Sequence, residues 1–368
     1  MPTDAAALAR GAVRHPAAAR RILRLALGTA LCLLVSQLLN WPMAFVAPVL
    51  TLTILALPVP APRLKGGIVL ILGLVLPVTL GLLLVPLLEH ARWAGIGLVT
   101  LALFYSFRFT AKGGSAALGT FMTIGLTLVV TIGSVNVNIL IILINALAVN
   151  AFFGVVFVWI AHACLPEQPD HLQGTGDPPR EVVLPETSEV NRRAVRSLLI
   201  VLPLALIFLF ISGSPAYTVV MIKVASMGQQ ASVGASRSHG RSLIASTFWG
   251  GLAAILAWNL LSLWPSLLLY TLLAGLAGLL FGQRIFSGTG LHSDAGRCSY
   301  AFLTMMVLLG PAVLDSPFSN TAGDAFTTRL MLFGLIAVYG TLASFVFDAF
   351  WPPKRQKGET LSKAVPDG

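Results

Sequence analysis

The sequence predicts an all-α, polytopic membrane protein made of two parallel repeats of about six transmembrane helices each. Of its 368 residues, 56% are hydrophobic and only 10% are charged, whereas a soluble domain carries about 25% charged residues. Apolar segments recur along almost the whole chain, so a single anchor or a signal peptide does not explain them. We therefore expect most of the protein to lie in the bilayer, which excludes a soluble enzyme.

Twelve apolar segments are candidate spans. They are continuously apolar instead of alternating, as helices are and barrel strands are not. They lie near residues 22–40, 43–58, 67–88, 93–107, 116–133, 138–164, 198–212, 215–229, 242–262, 265–283, 298–314 and 329–350. The second, fourth, seventh and eighth are short for a bilayer, so the sequence predicts ten to twelve helices.

The basic residues orient the predicted spans. If the N-terminus is cytoplasmic, all but three of the 24 basic residues fall on the cytoplasmic side; the exceptions are Arg92 and Arg329 outside and Lys223 within a span. This bias follows the positive-inside rule and places both termini in the cytoplasm. The net charge of +10 then faces anionic membrane lipids, and no nucleic-acid partner is expected.

A polar, proline-rich segment divides the chain. The predicted parts are a first transmembrane bundle (1–164), a cytoplasmic linker (165–197), a second transmembrane bundle (198–353) and a cytoplasmic tail (354–368). Matching features recur about 172 to 178 residues apart, as after duplication of a six-helix unit: Arg20 and Arg192, Arg24 and Arg196, Pro42 and Pro215, Arg63 and Arg237, Arg108 and Arg284. Because each unit has an even number of helices, both copies would point the same way.

Several of these features together resemble a known family. They are the basic opening Arg20-Arg21-Ile-Leu-Arg24, the Trp41-Pro42 turn, the basic return Arg63-Leu-Lys65 and the Gly-rich third span. The family is the fusaric-acid-resistance and aromatic-acid-exporter group of bacterial inner-membrane proteins, and the layout of two six-helix units extends the resemblance to nearly the whole chain.

The resemblance implies export of aromatic carboxylic acids or drugs, alongside a periplasmic adaptor (membrane fusion) protein. Many members carry a large cytoplasmic domain between the halves, where this chain has only residues 165–197. It would be a short form, which puts in doubt any role of such a domain in regulation or substrate feeding. No binding residue can be carried over position by position.

Lys223 is the one clear charge within a predicted span. It lies eight residues after Pro215, about 12 Å deep at 1.5 Å per residue. A lysine there costs at least about 2.5 kcal/mol, so it should face the bundle interior, a wet cavity or a partner. Two interpretations stay open: attraction of an anionic substrate, or snorkelling to the cytoplasmic surface, which runs against the lean of helical side chains.

Four other polar residues in the spans are candidates. Asn150 and Asn259 could bind a substrate or join neighbouring helices. His162 and Asp348 each lie four residues before a proline at the cytoplasmic end of a span. They could serve proton coupling, and ordinary helix-end polarity is the alternative.

Arg237 and Arg241 belong to a small, polar, basic segment at 228–241 that is predicted to be a cytoplasmic loop. Arginines and exposed backbone amides could receive an anion from the cytosol there. The segment has no P-loop pattern, and the three cysteines lie far apart. We therefore expect no catalytic residue, no metal and no cofactor.

The function predicted is that of a secondary exporter of a small organic anion, working as the membrane-embedded subunit of an efflux system. A second copy of the same chain is a further candidate partner, in a homo-oligomer. The alternatives are a membrane-embedded enzyme, which would need a nucleophile and base or paired carboxylates at one depth, and an assembly protein without transport activity of its own.

Overall fold

The structure is a computed structural model that describes residues 16–128, 137–166, 186–210, 215–233, 238–287, 290–314 and 320–352. Within these ranges the chain forms twelve helices, one on each predicted apolar segment. They are α1 (Pro16–Leu38), α2 (Val46–Leu55), α3 (Leu64–His90), α4 (Arg92–Ala111), α5 (Ala116–Leu128), α6 (Val137–Cys164), α7 (Thr187–Phe210), α8 (Pro215–Val233), α9 (Ser238–Leu263), α10 (Leu267–Ile285), α11 (Ala295–Leu314) and α12 (Asn320–Phe350).

Seven of the described helices are long and apolar enough to cross a membrane: α1, α4, α6, α9, α10, α11 and α12. A two-residue antiparallel ladder, β1 (Phe286–Ser287) with β2 (Gly290–Leu291), joins α10 to α11. The chain is thus an all-α, multi-pass membrane protein. Helices that cross the membrane contact its lipid. They are suited to hydrocarbon because every backbone N–H and C=O group can bond within the helix.

The outer face of the bundle is apolar. On α10, an exposed stripe recurs every fourth residue at Leu268, Leu272, Leu276 and Leu280, which places these leucines on one side of the helix. The opposite face of α10 is buried and small, with Ala274, Ala277 and Gly278. Lipid therefore meets the leucine stripe, while the small face allows close packing against another helix.

Four helices, α2, α5, α8 and α11, form the centre of the bundle. Every residue from 220 to 229 on α8 and from 301 to 312 on α11 is buried. Nine of the ten residues of α2 are also buried. Burial on all sides is expected of a helix enclosed by other helices, and the remaining eight helices each keep an exposed face around these four.

The seven helix pairs that pack within α1 to α6 all recur within α7 to α12, where three further pairs also make contact. Helix α1 packs on α2 and α6, α3 on α4, α5 and α6, α2 on α6, and α4 on α5; the corresponding pairs of α7 to α12 are also in contact. Five helix pairs connect the two sets, namely α1 with α10, α4 with α7, α2 with α11, α5 with α8 and α4 with α8. Exchanging the two sets converts each of the first four pairs into another of those four, whereas α4 with α8 has no comparable counterpart in α2 with α10 among the described residues.

Two helix starts differ from the predicted spans. Helix α12 begins at Asn320, nine residues before the predicted span, so Arg329 lies inside a helix and is buried instead of lying in an outside loop. Helix α7 begins at Thr187, within the predicted linker. In both places polar residues interrupt the apolar run without interrupting the helix, and the arginines among them, Arg192 and Arg196 on α7 and Arg329 on α12, are buried.

Candidate functional site

Lys223 lies at the centre of the bundle, on α8. Only 1% of the residue is exposed. Its Nζ atom donates a hydrogen bond to Oγ1 of Thr304 on α11 at 2.6 Å, and the Thr304 hydroxyl donates to the carbonyl of Tyr300 at 2.7 Å. No carboxylate among the described residues pairs with Lys223. The side chain therefore faces the interior, and its charge is met by one hydroxyl group.

A second polar contact on α8 reaches the first six helices. Gln229, also 1% exposed, donates through Nε2 to the carbonyl of Gly119 at 2.8 Å and to Oγ1 of Thr123 at 2.5 Å. The Thr123 hydroxyl lies 3.0 Å from that of Ser106 on α4. These bonds hold α8 against α5 at a point six residues along α8 from Lys223.

Gly119 allows this close approach. A Cβ atom built there would collide with the hydroxyl of Thr110 and lie 3.2 Å from Oε1 of Gln229. Small residues at such positions let helices approach closely and bond through polar groups in a membrane. The polar contact between α5 and α8 therefore depends on the absence of a side chain at position 119.

A cavity of about 300 Å³ lies between the two sets of helices. Its walls come from α2 and α5 on one side and from α9 and α11 on the other. The polar lining residues are Thr53, Thr120, Ser242, Ser299 and Tyr300. Leu303 also lines the cavity, and the next residue on α11 is Thr304, the partner of Lys223. The buried ammonium group is thus bonded to the residue that directly follows a lining residue of this cavity.

Asp348 belongs to a buried ionic network that joins α7 to the end of α12. Its carboxylate accepts hydrogen bonds from Nη1 of Arg192 at 2.9 Å and from Nη1 of Arg196 at 3.0 Å. Arg192 also bonds Glu189 at 2.8 Å and the carbonyl of Trp351 at 3.1 Å. Arg196 further donates to the carbonyl of Ala231 on α8. The network therefore ties the ends of three helices together, and a role of Asp348 in proton coupling stays a prediction.

His162 occupies the corresponding end of α6. It is partly buried, and its Nδ1 atom lies 2.9 Å from the carbonyl of Val158, one turn earlier. On α1, Arg24 donates to the carbonyl of Leu165 at 2.7 Å. This bond resembles that of Arg192 with Trp351, since Leu165 and Trp351 each directly precede a proline.

Asn150 joins α6 to the start of α2. Its Oδ1 atom accepts from the backbone N–H of Ala47 at 3.0 Å, while Nδ2 donates to the carbonyls of Pro42 at 2.9 Å and Ala146 at 2.7 Å. The amide satisfies one of the free N–H groups at the N-terminus of α2. Of its two interpretations, the contact between helices is the one that these bonds support.

Three predicted residues remain. Asn259 is exposed on the outer face of α9, and its side chain donates to the carbonyl of Ile255 in its own helix. Arg237 lies outside the described residues. Arg241 lies in the first turn of α9, directly before Ser242, which lines the 300 Å³ cavity.

Sequence reasoning missed Thr304, Gln229 and the two buried arginines as candidates. Gln229 falls in the segment predicted as a loop, but α8 continues to Val233. The spacing of Arg192 and Arg196, four residues apart on one helix face, is a signal that could have identified them. Nothing about Thr304 in an apolar helix distinguishes it as the partner of Lys223.

The first set of helices matches a known protein family. A family model described as "Protein of unknown function (DUF2955)" matches residues 21–161, less than half of the chain, from α1 into α6. No curated protein and no solved structure matches the chain significantly. Over α1 to α6 the chain is therefore similar to that family.

Proposed function

We propose that this protein is the membrane-embedded subunit of a small-molecule efflux system and exports aromatic or other organic acids, or drugs, by secondary transport. The observation that carries the proposal is the ammonium group of Lys223, enclosed by central helices and held by the Thr304 hydroxyl alone among the described residues. A charge in such a place is costly and marks a substrate or ion pathway. A carboxylate substrate would supply the missing negative charge.

The repeated helix pairing supports a transporter built from two parallel repeats, α1 to α6 and α7 to α12. Each half contributes two central helices, and the 300 Å³ cavity has walls from both halves. Parallel repeats related by an axis along the membrane normal allow alternating access, because one half can rock against the other around a central site. Lys223 lies on α8, and this helix packs on α4 and α5 of the first half.

The direction of transport follows from the proposed orientation in a bacterial inner membrane, with both termini in the cytoplasm. The cavity then lies toward the cytoplasmic side, where α5, α9 and α11 begin. In this proposal the basic residues Arg237 and Arg241, which precede Ser242 in the chain, attract an anion from the cytosol before it reaches Lys223. The sequence resemblance adds a periplasmic adaptor protein as the partner on the opposite side.

Transport of a panel of aromatic acids tests the proposal. Inside-out vesicles that contain the protein should accumulate at least one radiolabelled benzoate or hydroxybenzoate faster than empty vesicles. Lys223→Met should weaken the anion's binding by roughly 2 kcal/mol or more and remove most of the accumulation. Because this change removes a buried charge, thermal stability should stay the same or rise.

The matched control is Lys112→Met, which changes an exposed lysine at the end of α4. It should leave accumulation at the wild-type rate. Wild-type accumulation by the Lys223→Met protein would show that the central lysine has no part in translocation. Absence of accumulation across the whole panel would refute export of these acids.

A further inference from the structure

A second cavity lies at the opposite end of the bundle from the first. Its volume is about 350 Å³, and its walls come from the ends of α1, α9 and α11 and the start of α10. On α11 it is lined by Val313, nine residues beyond Thr304, or about 14 Å along a helix. Residues 301 to 312 between the two cavities are all buried, so the second cavity is separate from Lys223.

Two polar groups of the lining residues are buried without a hydrogen-bond partner in the part of the chain that the structure describes. They are the hydroxyl of Tyr270, a residue only 1% exposed, and the Nε2 atom of Gln37. Buried polar groups are nearly always hydrogen-bonded, and within a bilayer the surrounding lipid offers no substitute. Both groups can donate a hydrogen bond. The cavity therefore presents two donors to an acceptor that the described residues do not supply.

The rest of the lining determines the charge and shape of the occupant. Trp258, Leu261 and Leu267 give an apolar wall, and none of the lining residues that the structure describes is charged. Trp258 is held in place by stacking on Phe326, with ring centroids 5.3 Å apart. An ionised group would enter this cavity without a counter-charge, which is costly. The lining thus favours an uncharged molecule with a flat apolar body.

We propose that this cavity is a second binding site, for an uncharged aromatic molecule whose carbonyl oxygen accepts hydrogen bonds from Tyr270 and Gln37. The volume lies within the range of small-molecule sites. An aromatic ester has the required shape, a carbonyl acceptor and no charge. The site does not depend on transport, because none of its walls includes Lys223 or Thr304.

Binding of methyl 4-hydroxybenzoate to the purified full-length protein in detergent micelles tests the site. Tyr270→Phe removes only the hydroxyl, and Gln37→Leu removes the amide at nearly constant volume. Each variant should bind the ester roughly three- to tenfold more weakly than wild type, since one hydrogen bond is lost. The control is Tyr105→Phe, which changes an exposed tyrosine on α4 and should keep wild-type affinity.

Three further measurements complete the test. At pH 6.5, where the ester is uncharged and 4-hydroxybenzoate is an ionised carboxylate, 4-hydroxybenzoate should not compete with the ester for the site. Trp258→Phe should remove most of the ester-induced change in tryptophan fluorescence. The Lys223→Met variant should bind the ester with wild-type affinity. Loss of transport and loss of ester binding can therefore be distinguished.

Wild-type ester affinity in both Tyr270→Phe and Gln37→Leu overturns the proposal. A Tyr270→Phe protein that melts at a lower temperature but keeps its affinity also overturns it, because the hydroxyl would then serve packing alone. Equal affinity for the ionised acid would overturn the assignment to an uncharged ligand.

Discussion

The guanidinium group of Arg192 at the start of α7 lies 2.9 Å from the carboxylate of Asp348 at the end of α12, and at most 5% of either side chain is exposed. Arg196, one turn further along α7, bonds the other carboxylate oxygen. This arrangement fastens the first helix of the second half to its last helix. In the first half, Arg24 fastens α1 to α6 through a backbone carbonyl instead.

Replacing Asp348 should destabilise the protein strongly. Asp348→Asn leaves two buried guanidinium groups without their shared carboxylate, and breaking a buried ion pair in this way costs about 3–5 kcal/mol. We expect a clearly lower melting temperature in detergent. The matched control is Asp324→Asn, which changes an exposed carboxylate on the same helix and should have little effect. Equal melting of the two variants would show that the network does not stabilise the fold.

Glu189 gives the same network a pH dependence. Burial favours the neutral carboxyl group, but hydrogen bonds from Arg192 and Arg193 and their charges outweigh it and hold the pKa of Glu189 below its ordinary value. A carboxylate with a lowered pKa contributes stability above its unfolded pKa, about 4.3, and that stability is lost as the pH falls through the folded pKa.

Melting curves of wild type and Glu189→Gln between pH 7 and pH 3 measure this contribution. Wild type should be the more stable protein at pH 6 to 7, and the difference should shrink at the acidic end of the range. A difference that stays constant down to pH 3 would mean that ionisation of Glu189 does not stabilise the network.

The Asn150 amide should matter for stability, and the Asn259 amide should not. Asn150→Leu keeps the volume but leaves the Ala47 N–H and the Pro42 carbonyl without their partner. A buried donor or acceptor that loses its hydrogen-bond partner lowers the stability by about 1–3 kcal/mol. Asn259→Leu removes a bond within one helix turn on the exposed face of α9, so its melting temperature should match wild type. A larger loss in Asn259→Leu than in Asn150→Leu would contradict the assignment of Asn150 to the start of α2.

The helices are the part of the fold that sequence reasoning predicts well. A chain in hydrocarbon must form its backbone hydrogen bonds within helices and carry apolar side chains along their length. Apolar composition alone therefore identifies the segments that form helices. The predicted helix boundaries are wrong where a helix carries buried polar residues. Arg329, Arg192 and Gln229 each lie on a helix that continues past the predicted boundary.

The candidate site is harder to predict from the sequence, because the residues that bond to each other there are far apart in the chain. The depth of Lys223 indicates an interior side chain, since a lysine in lipid is costly. No pattern identifies its partner Thr304, 81 residues away, or joins Arg192 to Asp348 across 156 residues. Which faces of two helices meet is decided by packing of the whole bundle, and a threonine in an apolar helix more often bonds its own backbone.

Gly278 should be essential for the contact between α1 and α10, which is one of the contacts between the two sets of helices. A Cβ atom at position 278 would lie 2.7 Å from Cα of Ala26, a backbone atom that cannot move aside as a flexible side chain can. Gly278→Ala should therefore push the two helices apart and lower the melting temperature, although alanine is favoured over glycine by about 1 kcal/mol in a helix.

Gly275→Ala is the matched control, one turn earlier on the same helix. Its new Cβ would lie 3.6 Å from Cβ of Ala30, an ordinary van der Waals distance, so this variant should be as stable as wild type or slightly more stable. Because both changes alter helix propensity equally, the difference between their melting temperatures isolates the close approach of α1 to α10. Equal melting temperatures would mean that the helices can separate without cost, and α1 would then not depend on a glycine at this point.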